Sequence, residues 1–334
     1  MLNSLNVSAF SVKDKIVTHG RVEFIDGALM LPWSAAGLTV RFVGSSIAFT
    51  FLDYTSVSAE HECIALRLEV DGVPTKACIS SGHEAVFADG LEDGEHIARL
   101  LQASEAVFPL RLNEIQIVGK NPEILPYSRE YDLKLEVIGD SITCGYGVYG
   151  KRPCFAAFEQ DATRAYAFMT GERLNADTRL VSWSGRGLVK ACTGERLELF
   201  GDFFLWKARS KNYGEHDFST WQPDVVVVNG GTNDYAGGVR EPDINEGIRG
   251  FYQLIRSVYT KAKIVFFYGA MGQWFDDAYK SVVAELNESD PNVYYFPTAR
   301  ITEDTDEVGG NGHPSYIAHE RMARELTAAI KSIL

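Results

Sequence analysis

The first third of the chain alternates apolar and polar residues over short stretches, a pattern typical of antiparallel β-strands. In residues 46–51 and 64–70 every second side chain is apolar, which predicts strands with one buried face. Further strands are predicted at residues 97–101 and 110–118, and glycine turns such as Asp71-Gly72 separate the runs. Many short strands without a long helical period predict an all-β, jelly-roll-like sandwich.

From about residue 133 the pattern changes to short apolar runs that alternate with longer amphipathic segments. The apolar runs predict strands at residues 133–138, 178–182, 225–229, 263–268 and 293–296. The amphipathic segments predict helices at residues 163–174, 244–260, 276–287 and 316–330. This alternation is typical of a parallel sheet covered on both faces. We therefore predict a sandwich domain over residues 1–120, a linker over 121–132 and an α/β domain over 133–334.

Composition narrows the classes of partner that fit this chain. Its 334 residues include 32 Lys and Arg against 45 Asp and Glu, for a net charge of −13. That acidity argues against nucleic acid or an anionic membrane as the main partner. No run reaches the ~20 apolar residues of a spanning helix, and residues 1–15 lack the pattern of a signal peptide. We therefore expect a cytoplasmic protein without a membrane partner.

Four polar, glycine-containing segments follow predicted strands or precede the last predicted helix. The segments are Gly139-Asp140-Ser141-Ile142-Thr143, Ser184-Gly185-Arg186-Gly187, Gly230-Gly231-Thr232-Asn233-Asp234 and Gly312-His313-Pro314. A serine at the carboxyl end of a strand in an α/β sheet lies where such folds place their chemistry. One such segment is weak support because short motifs occur by chance. Four such segments in this order are a much more specific indication of an active site.

The four segments resemble the sequence blocks of the SGNH, or GDSL-type, hydrolase superfamily, over about residues 133–334. The resemblance implies a flavodoxin-like α/β/α sandwich, in agreement with the predicted strands and helices. The β-rich region, with Gly20-Arg21-Val22 and Leu31-Pro32-Trp33, and the Ser184-Gly185-Arg186-Gly187 segment resemble carbohydrate esterase family 2. Members of that family join a jelly-roll domain to an SGNH domain and remove acetyl groups from plant polysaccharides.

The resemblance implies a role for each matching residue. Ser141 corresponds to the nucleophile and His313 to the general base that takes its proton. The tetrahedral intermediate of an ester carries a negative oxygen, which needs preorganised N–H donors. Those donors correspond to the backbone N–H of Ser141, the backbone N–H of Gly185 and the side-chain amide of Asn233. We prefer Gly185 to Gly187 because it directly follows the serine of its segment.

The chain departs from the superfamily at the position three residues before His313, where Gly310 stands in place of the usual Asp. The group that orients the imidazole in a triad is therefore missing from its expected place. We predict a Ser–His dyad in which a backbone carbonyl orients the ring. Asp304, Asp306 and Glu307 are the alternatives for that role.

Metal and redox chemistry find little support in the sequence. The cysteines at positions 63, 78, 144, 154 and 192 form no CxxC pair, and we interpret them as free buried thiols in a reducing compartment. Asp140 and Asp234 lie beside the predicted catalytic residues, where a metal site or an acid pair is one interpretation. We favour local hydrogen bonding that shapes the two loops. We expect neither a metal nor a cofactor.

Several aromatic and charged residues are candidates for contact with substrate. Trp274 follows the predicted strand 263–268, and its ring is our candidate for stacking on a sugar. Tyr146 and Arg186 adjoin the predicted catalytic segments and are expected to line the pocket. The remaining candidates are expected to pack in the core: Trp183, Trp206 and Trp221.

The predicted function is a serine esterase that removes O-acetyl groups from acetylated xylan- or glucomannan-type saccharides. It would act through an acetyl-enzyme intermediate on an oligo- or polysaccharide. Two alternatives stay open, namely a lipid or thioester acyl hydrolase on the same scaffold, and a carbohydrate-binding protein without catalysis. The sequence leaves the deacetylated hydroxyl, the oligomeric state and the role of the sandwich domain undecided.

Overall fold

The structure is a computed structural model that describes residues 2–52, 63–80, 85–107, 109–151, 156–303 and 305–334. The strands are β1 Asn3–Ser8, β2 Val17–His19, β3 Glu23–Ile25, β4 Ala28–Leu31, β5 Gly37–Gly44, β6 Ser46–Phe51, β7 Ile64–Val70, β8 Val73–Ile79, β9 Ala85–Ala88, β10 Gly94–Gln102, β11 Leu110–Gly119, β12 Glu123–Leu125, β13 Leu133–Gly139, β14 Ala176–Ser182, β15 Val225–Asn229, β16 Lys263–Tyr268 and β17 Val293–Pro297. The helices are α1 Tyr166–Arg173, α2 Phe200–Phe203, α3 Thr232–Ala236, α4 Glu241–Val258, α5 Asp276–Asn287 and α6 Tyr316–Ile333.

Strands β1 to β12 form two antiparallel sheets. One has the order β3-β4-β11-β6-β9, with β1 also paired to β11, and the other has the order β12-β5-β10-β7-β8, with β2 also paired to β5. A single apolar core contains residues of both sheets, such as Phe49 and Ile115 from the first and Phe42 and Leu100 from the second. The alternation in the sequence follows from this packing, because only one face of each sheet is buried. The predicted all-β sandwich is confirmed.

A short strand lies inside the predicted linker, residues 121–132. Strand β12 pairs with β5 in antiparallel register, with Ile124 opposite Phe42, and Ile124 is buried. Three residues carry too little periodicity to be recognised as a strand, so only the partner strand defines this element. The predicted division into domains otherwise stays a prediction.

Strands β13 to β17 form a parallel sheet with the order β14-β13-β15-β16-β17. Val226 and Phe266 pack with α4 and α5 on one face, and Val227 and Phe267 pack with α1 and α6 on the other. Both faces are covered, which explains why the strands read as continuous apolar runs. The predicted flavodoxin-like α/β architecture is confirmed.

The cysteines differ from the prediction. Cys63 and Cys78 form a disulfide, with 5.6 Å between their Cα atoms, whereas Cys144 is a free buried thiol and Cys192 a free exposed one. Cys63 directly precedes β7 and Cys78 lies in β8, so the antiparallel pairing of these strands brings the two together. The interpretation of all five as free buried thiols is therefore wrong, while Cys154 lies outside the described residues.

None of the described helices is long and apolar enough to cross a membrane.

Candidate active site

Three of the four predicted segments begin at the same level of the parallel sheet. Gly139, the last residue of β13, pairs with Ser182 of β14 on one side and with Asn229 of β15 on the other. The loops after these three residues carry the predicted nucleophile and the predicted oxyanion donors. Since the strand order reverses between β13 and β15, a crevice is expected at this edge of the sheet.

The turn after β13 holds Ser141 in place through hydrogen bonds of its neighbour Asp140. The Asp140 carboxylate accepts the Ile142 N–H at 3.0 Å, and its main-chain carbonyl accepts the Cys144 N–H at 3.0 Å. The turn is so tight that a Cβ on Gly139 would lie 2.0 Å from Oγ1 of Thr143. Glycine is therefore required there, and Ser141 follows with 7% of its surface exposed.

Ser141 and His313 form the contact that a nucleophile and its base require. Nε2 of His313 lies 2.9 Å from Oγ of Ser141, although 172 residues separate them in the chain. The other ring nitrogen, Nδ1, lies 3.3 Å from the main-chain carbonyl oxygen of Asn311. A proton on Nδ1 that faces this carbonyl leaves Nε2 free to accept the serine proton. This is the arrangement that the predicted dyad needs.

The loop before His313 reaches the Ser141 loop through close main-chain packing of glycines. The Gly310 N–H donates to the Gly147 carbonyl at 2.8 Å. A Cβ on Gly147 would lie 2.5 Å from the Gly310 carbonyl oxygen, and one on Gly150 would lie 2.7 Å from the Gly310 Cα. Asn311 then takes a φ of +50°, which asparagine tolerates better than most residues. The glycines thus let the two loops meet where the superfamily usually has an Asp.

The acidic alternatives for orienting His313 have other contacts. The Glu307 carboxylate binds Arg321 at 2.7 Å and accepts the Thr302 N–H at 3.1 Å. Asp306 is exposed, and its main-chain carbonyl accepts the Ser315 hydroxyl. Asp304 lies outside the described residues. Among the described residues, the Asn311 carbonyl is thus the acceptor that faces Nδ1.

The environment of His313 keeps its imidazole neutral. Burial lowers the pKa of His313 to about 4, against the opposite pull of the Asn311 carbonyl and of the negative charge of Glu105. A general base must be unprotonated before it can take a proton. His313 therefore stays, well into the acidic range, in the unprotonated form that its predicted role as a base requires.

We predict that kcat/KM falls with decreasing pH through about 4, because this is where the His313 base becomes protonated. An unperturbed histidine would place the loss near 6.5 instead. The measurement is kcat/KM for p-nitrophenyl acetate between pH 3.5 and 8. Burial raises the pKa of the Asp140 carboxyl to about 7, so this carboxyl also titrates within the measured range. The variant Asp140→Asn removes that titration and is therefore the control. An acidic limb near 6.5 that persists in the control would contradict the prediction.

Two of the three predicted oxyanion donors are available. Among the described residues, no acceptor contacts the backbone N–H of Ser141 or of Gly185. Gly185 has a φ of +78°, which favours glycine, and its carbonyl accepts the Cys192 N–H at 2.9 Å. These two N–H groups follow neighbouring strands of the sheet, and their role as oxyanion donors stays a prediction.

The third predicted donor, Asn233, is engaged differently from the prediction. Its Nδ2 donates to Oδ2 of Asp140 at 2.9 Å and to the Arg186 carbonyl at 2.8 Å. Both amide protons are thus occupied, so the amide reaches an oxyanion only if it gives up or shares one of these acceptors. The prediction overlooked the Asp140 carboxylate as a partner, because the two residues lie on different loops. In this structure Asn233 joins the nucleophile turn to the Gly185 loop.

Asp140 and Asp234 shape loops, as predicted. The Asp234 carboxylate accepts the backbone N–H groups of Leu188, Val189 and Lys190 at 2.6 to 3.0 Å. Burial raises the pKa of Asp234, and the hydrogen bonds from these three N–H groups offset only part of that rise. Within the part of the chain that the structure describes, no cluster of His, Cys, Asp or Glu has the composition of a metal site.

One aromatic ring packs against His313, and two others stack on each other at the surface. The Tyr146 ring lies 4.4 Å from the His313 ring, between centroids. Trp274 is 43% exposed and stacks on Tyr235, with 4.0 Å between centroids and an angle of 5°. Tyr235 was not among the candidates predicted from the sequence, although its position two residues after Asn233 was a usable signal. The two stacked rings offer a solvent-facing aromatic surface.

The Arg186 side chain has two partners of its own, and its predicted place in the pocket stays a prediction. Its guanidinium pairs with Glu198 at 2.6 Å and lies 4.5 Å above the Trp183 ring. Its main-chain carbonyl accepts a hydrogen bond from the predicted site residue Asn233. Trp183 and Trp221 are buried as expected, and Trp206 is partly buried against the same core.

Two family models match the chain. The model of the GDSL-like lipase/acylhydrolase family matches residues 137–321, and the model of the carbohydrate esterase 2 N-terminal region matches residues 18–126. A solved family two carbohydrate esterase from Clostridium thermocellum, in complex with cellohexaose, is 28% identical and superposes with a TM-score of 0.84. That similarity covers 95% of this chain and 98% of the other. It confirms the fold that the sequence predicts.

Two curated relatives are also similar to this chain. The cellulase/esterase CelE of Acetivibrio thermocellus is 29% identical over 333 residues, which cover 96% of this chain and 39% of that relative. An acetylxylan esterase/glucomannan deacetylase of Cellvibrio japonicus is 27% identical over 258 residues, which cover 72% of this chain and 68% of that relative. The chain thus spans about two fifths of the first relative and about two thirds of the second.

Proposed function

The chain belongs to the GDSL-like lipase/acylhydrolase family, and we propose that it is a serine esterase that removes O-acetyl groups from acetylated xylan- or glucomannan-type saccharides. The observation that carries the proposal is the 2.9 Å contact between Oγ of Ser141 and Nε2 of His313, beside two available N–H donors. The substrate class is supported by the similarity to an acetylxylan esterase/glucomannan deacetylase and to a carbohydrate esterase that binds cellohexaose.

In the proposed reaction His313 takes the Ser141 proton as Oγ attacks the acetyl carbonyl carbon. The electron pair of the C=O bond moves to oxygen, and the N–H groups of Ser141 and Gly185 stabilise the resulting oxyanion. When the intermediate collapses, the C–O bond to the sugar breaks and the imidazolium returns the proton to the departing sugar oxygen. A water molecule, activated by the same His313, then releases acetate from the acetyl-enzyme.

The aromatic surface formed by Trp274 and Tyr235 is the proposed place for a sugar ring. Both rings are solvent-exposed at 43% and 46%, and aromatic faces of this kind stack on the apolar faces of sugars. Tyr146 packs against His313 and therefore borders the acetyl group in this proposal.

The cytoplasmic localisation stays a prediction. The Cys63–Cys78 disulfide argues against it, because disulfides persist in oxidising compartments.

We expect the enzyme to prefer p-nitrophenyl acetate to p-nitrophenyl butyrate by at least about tenfold in kcat/KM, since each misfit methylene costs about 1–3 kcal/mol of discrimination. We also expect acetate release from acetylated xylan, xylo-oligosaccharides or glucomannan. The measurement is acetate release together with the chain-length series. Activity that rises with chain length would instead support a lipid or thioester hydrolase.

A serine-directed phosphonate separates catalysis from simple glycan binding. A mass adduct on Ser141 that is absent in Ser141→Ala supports an active nucleophile. Tight glycan binding without an adduct or acetate release would overturn the esterase proposal and favour a carbohydrate-binding protein.

A further inference from the structure

A buried carboxylate from the antiparallel region reaches the loop that carries Gly185. Glu105 lies in the connection between β10 and β11 and is only 3% exposed. Its Oε1 accepts the backbone N–H of Ser184 at 2.8 Å and the Arg209 guanidinium at 2.7 Å. Its Oε2 accepts the Ser184 hydroxyl. One side chain therefore takes both hydrogen-bond donors of the residue that directly precedes Gly185.

The segment that carries Glu105 is itself held from two sides. The Glu105 N–H donates to Oε1 of Gln160 at 2.9 Å, and the Ala162 N–H donates to the Ala103 carbonyl at 2.7 Å. Towards the antiparallel sheet, the Ala103 N–H donates to the Ala65 carbonyl at 2.8 Å. The main chain that carries Glu105 is thus held both to strand β7 and to the segment that leads into α1.

These contacts restrain the direction of the Gly185 N–H. That N–H belongs to the peptide group between Ser184 and Gly185, whose orientation depends on the main-chain angles of Ser184. With its N–H and its hydroxyl bound to one immobile carboxylate, Ser184 has little freedom to rotate. On the preceding residue, Arg209 lies 4.3 Å above the Trp183 ring and adds a second restraint.

The charge of Glu105 also acts on the catalytic base. It contributes to raising the pKa of His313 against the larger effect of burial. A triad carboxylate stabilises the imidazolium that forms during acyl transfer. This chain has Gly310 where that carboxylate is usual, so a negative charge from another part of the fold supports the same protonated state.

We propose that Glu105 is a positioning residue of the oxyanion hole, which fixes the Gly185 N–H through Ser184 and makes the antiparallel region a structural part of the active site. This inference rests on the proposed esterase function. It assigns to the N-terminal region a role in the reaction itself, in addition to any contact with glycan.

The test compares Glu105→Ala and Glu105→Gln with a matched control, Glu136→Gln. Glu136 is also a buried carboxylate that pairs with an arginine across the two regions, Arg21, at 2.8 and 2.9 Å. In the described residues its carboxylate has no contact with Ser184 or Gly185. The control therefore measures the effect of losing a buried ion pair without disturbing the oxyanion hole.

For Glu105→Ala we expect kcat for p-nitrophenyl acetate to fall about 10²–10³-fold, as when one oxyanion donor is lost, with KM changed by less than about threefold. Glu105→Gln keeps one acceptor oxygen and should lose less. In both variants the acidic limb of the pH profile moves to lower pH, because a negative charge near His313 is gone. Glu136→Gln should lower the melting temperature without changing kcat or the limb.

Unchanged kcat in folded Glu105→Ala, or losses that match those of Glu136→Gln, would overturn the proposal. If the Glu105 variants do not fold, Ser184→Ala takes their place, since it removes the hydroxyl contact and keeps the backbone N–H. We expect a loss of kcat of several-fold for it, and no loss would equally overturn the proposal. A wild-type protein that cleaves no ester at all would refute the proposed function instead.

Discussion

Ser141→Ala is expected to lower kcat for acetate release by roughly 10⁵–10⁶-fold, while the protein stays folded and binds saccharide. The reason is that Oγ, at 2.9 Å from Nε2 of His313, is the atom that forms the acetyl-enzyme in the proposed reaction. Without it, the remaining N–H donors can only assist a slow attack by water. The measurement is acetate release from acetylated xylan and from p-nitrophenyl acetate, with the melting temperature as the control for folding.

The double variant Ser141→Ala/His313→Ala tests whether the two residues work as one unit. Each single variant already removes the proton transfer that both residues share. We therefore expect the double variant to be no slower than the slower single variant. Additive losses, or more than about 1% of wild-type kcat in Ser141→Ala, would show that another group performs the reaction.

Asn233→Asp is expected to be the second most damaging substitution, with kcat/KM at pH 8 at least about tenfold below that of Asn233→Ala. Asn233→Ala removes the hydrogen bonds that join the Ser141 turn to the Gly185 loop, and we expect a loss of about 10²–10³-fold, the size reported for the loss of one oxyanion donor. The aspartate variant adds a carboxylate at a place where the amide now donates to Asp140 at 2.9 Å and to the Arg186 carbonyl at 2.8 Å. An oxygen of the new carboxylate would then lie beside Oδ2 of Asp140 and the Arg186 carbonyl oxygen, with no proton between the three acceptors.

The pH dependence separates this explanation from simple loss of the amide. Two adjacent buried carboxylates raise one another's pKa, so the pair takes up a shared proton as the pH falls. His313 stays neutral down to about pH 4, and the base remains available throughout that range. We expect the ratio of kcat/KM for Asn233→Asp to kcat/KM for Asn233→Ala to rise as the pH is lowered from 8 to 5. A flat ratio would show that the repulsion with Asp140 is absent.

If Asn233→Ala lowers only the melting temperature, the amide has a structural role alone. A fall in kcat of the stated size without a fall in melting temperature would show that the amide acts in the reaction. The comparison therefore decides the role of the residue whose contacts differ most from the sequence-based prediction.

Much of the fold could be predicted because burial leaves a local record in the sequence. Val225–Asn229 is a continuous apolar run since a strand of a parallel sheet is covered on both faces. Ser46–Phe51 alternates because its sheet is covered on one face only. Strand β12, Glu123–Leu125, was missed because three residues are too few to show either period.

The sequence by itself determined the two architectures and pointed to Ser141 and His313 as the predicted nucleophile and base, since burial periodicity and short motifs are properties of neighbouring residues. Tertiary structure alone decided which groups complete the site. Asn233 meets Asp140 across 93 residues, Glu105 meets Ser184 across 79, and Cys63 is bonded to Cys78 on the adjacent strand. Such contacts depend on how the strands and loops are placed in space, and a single chain carries no local pattern that records the pairing of distant residues.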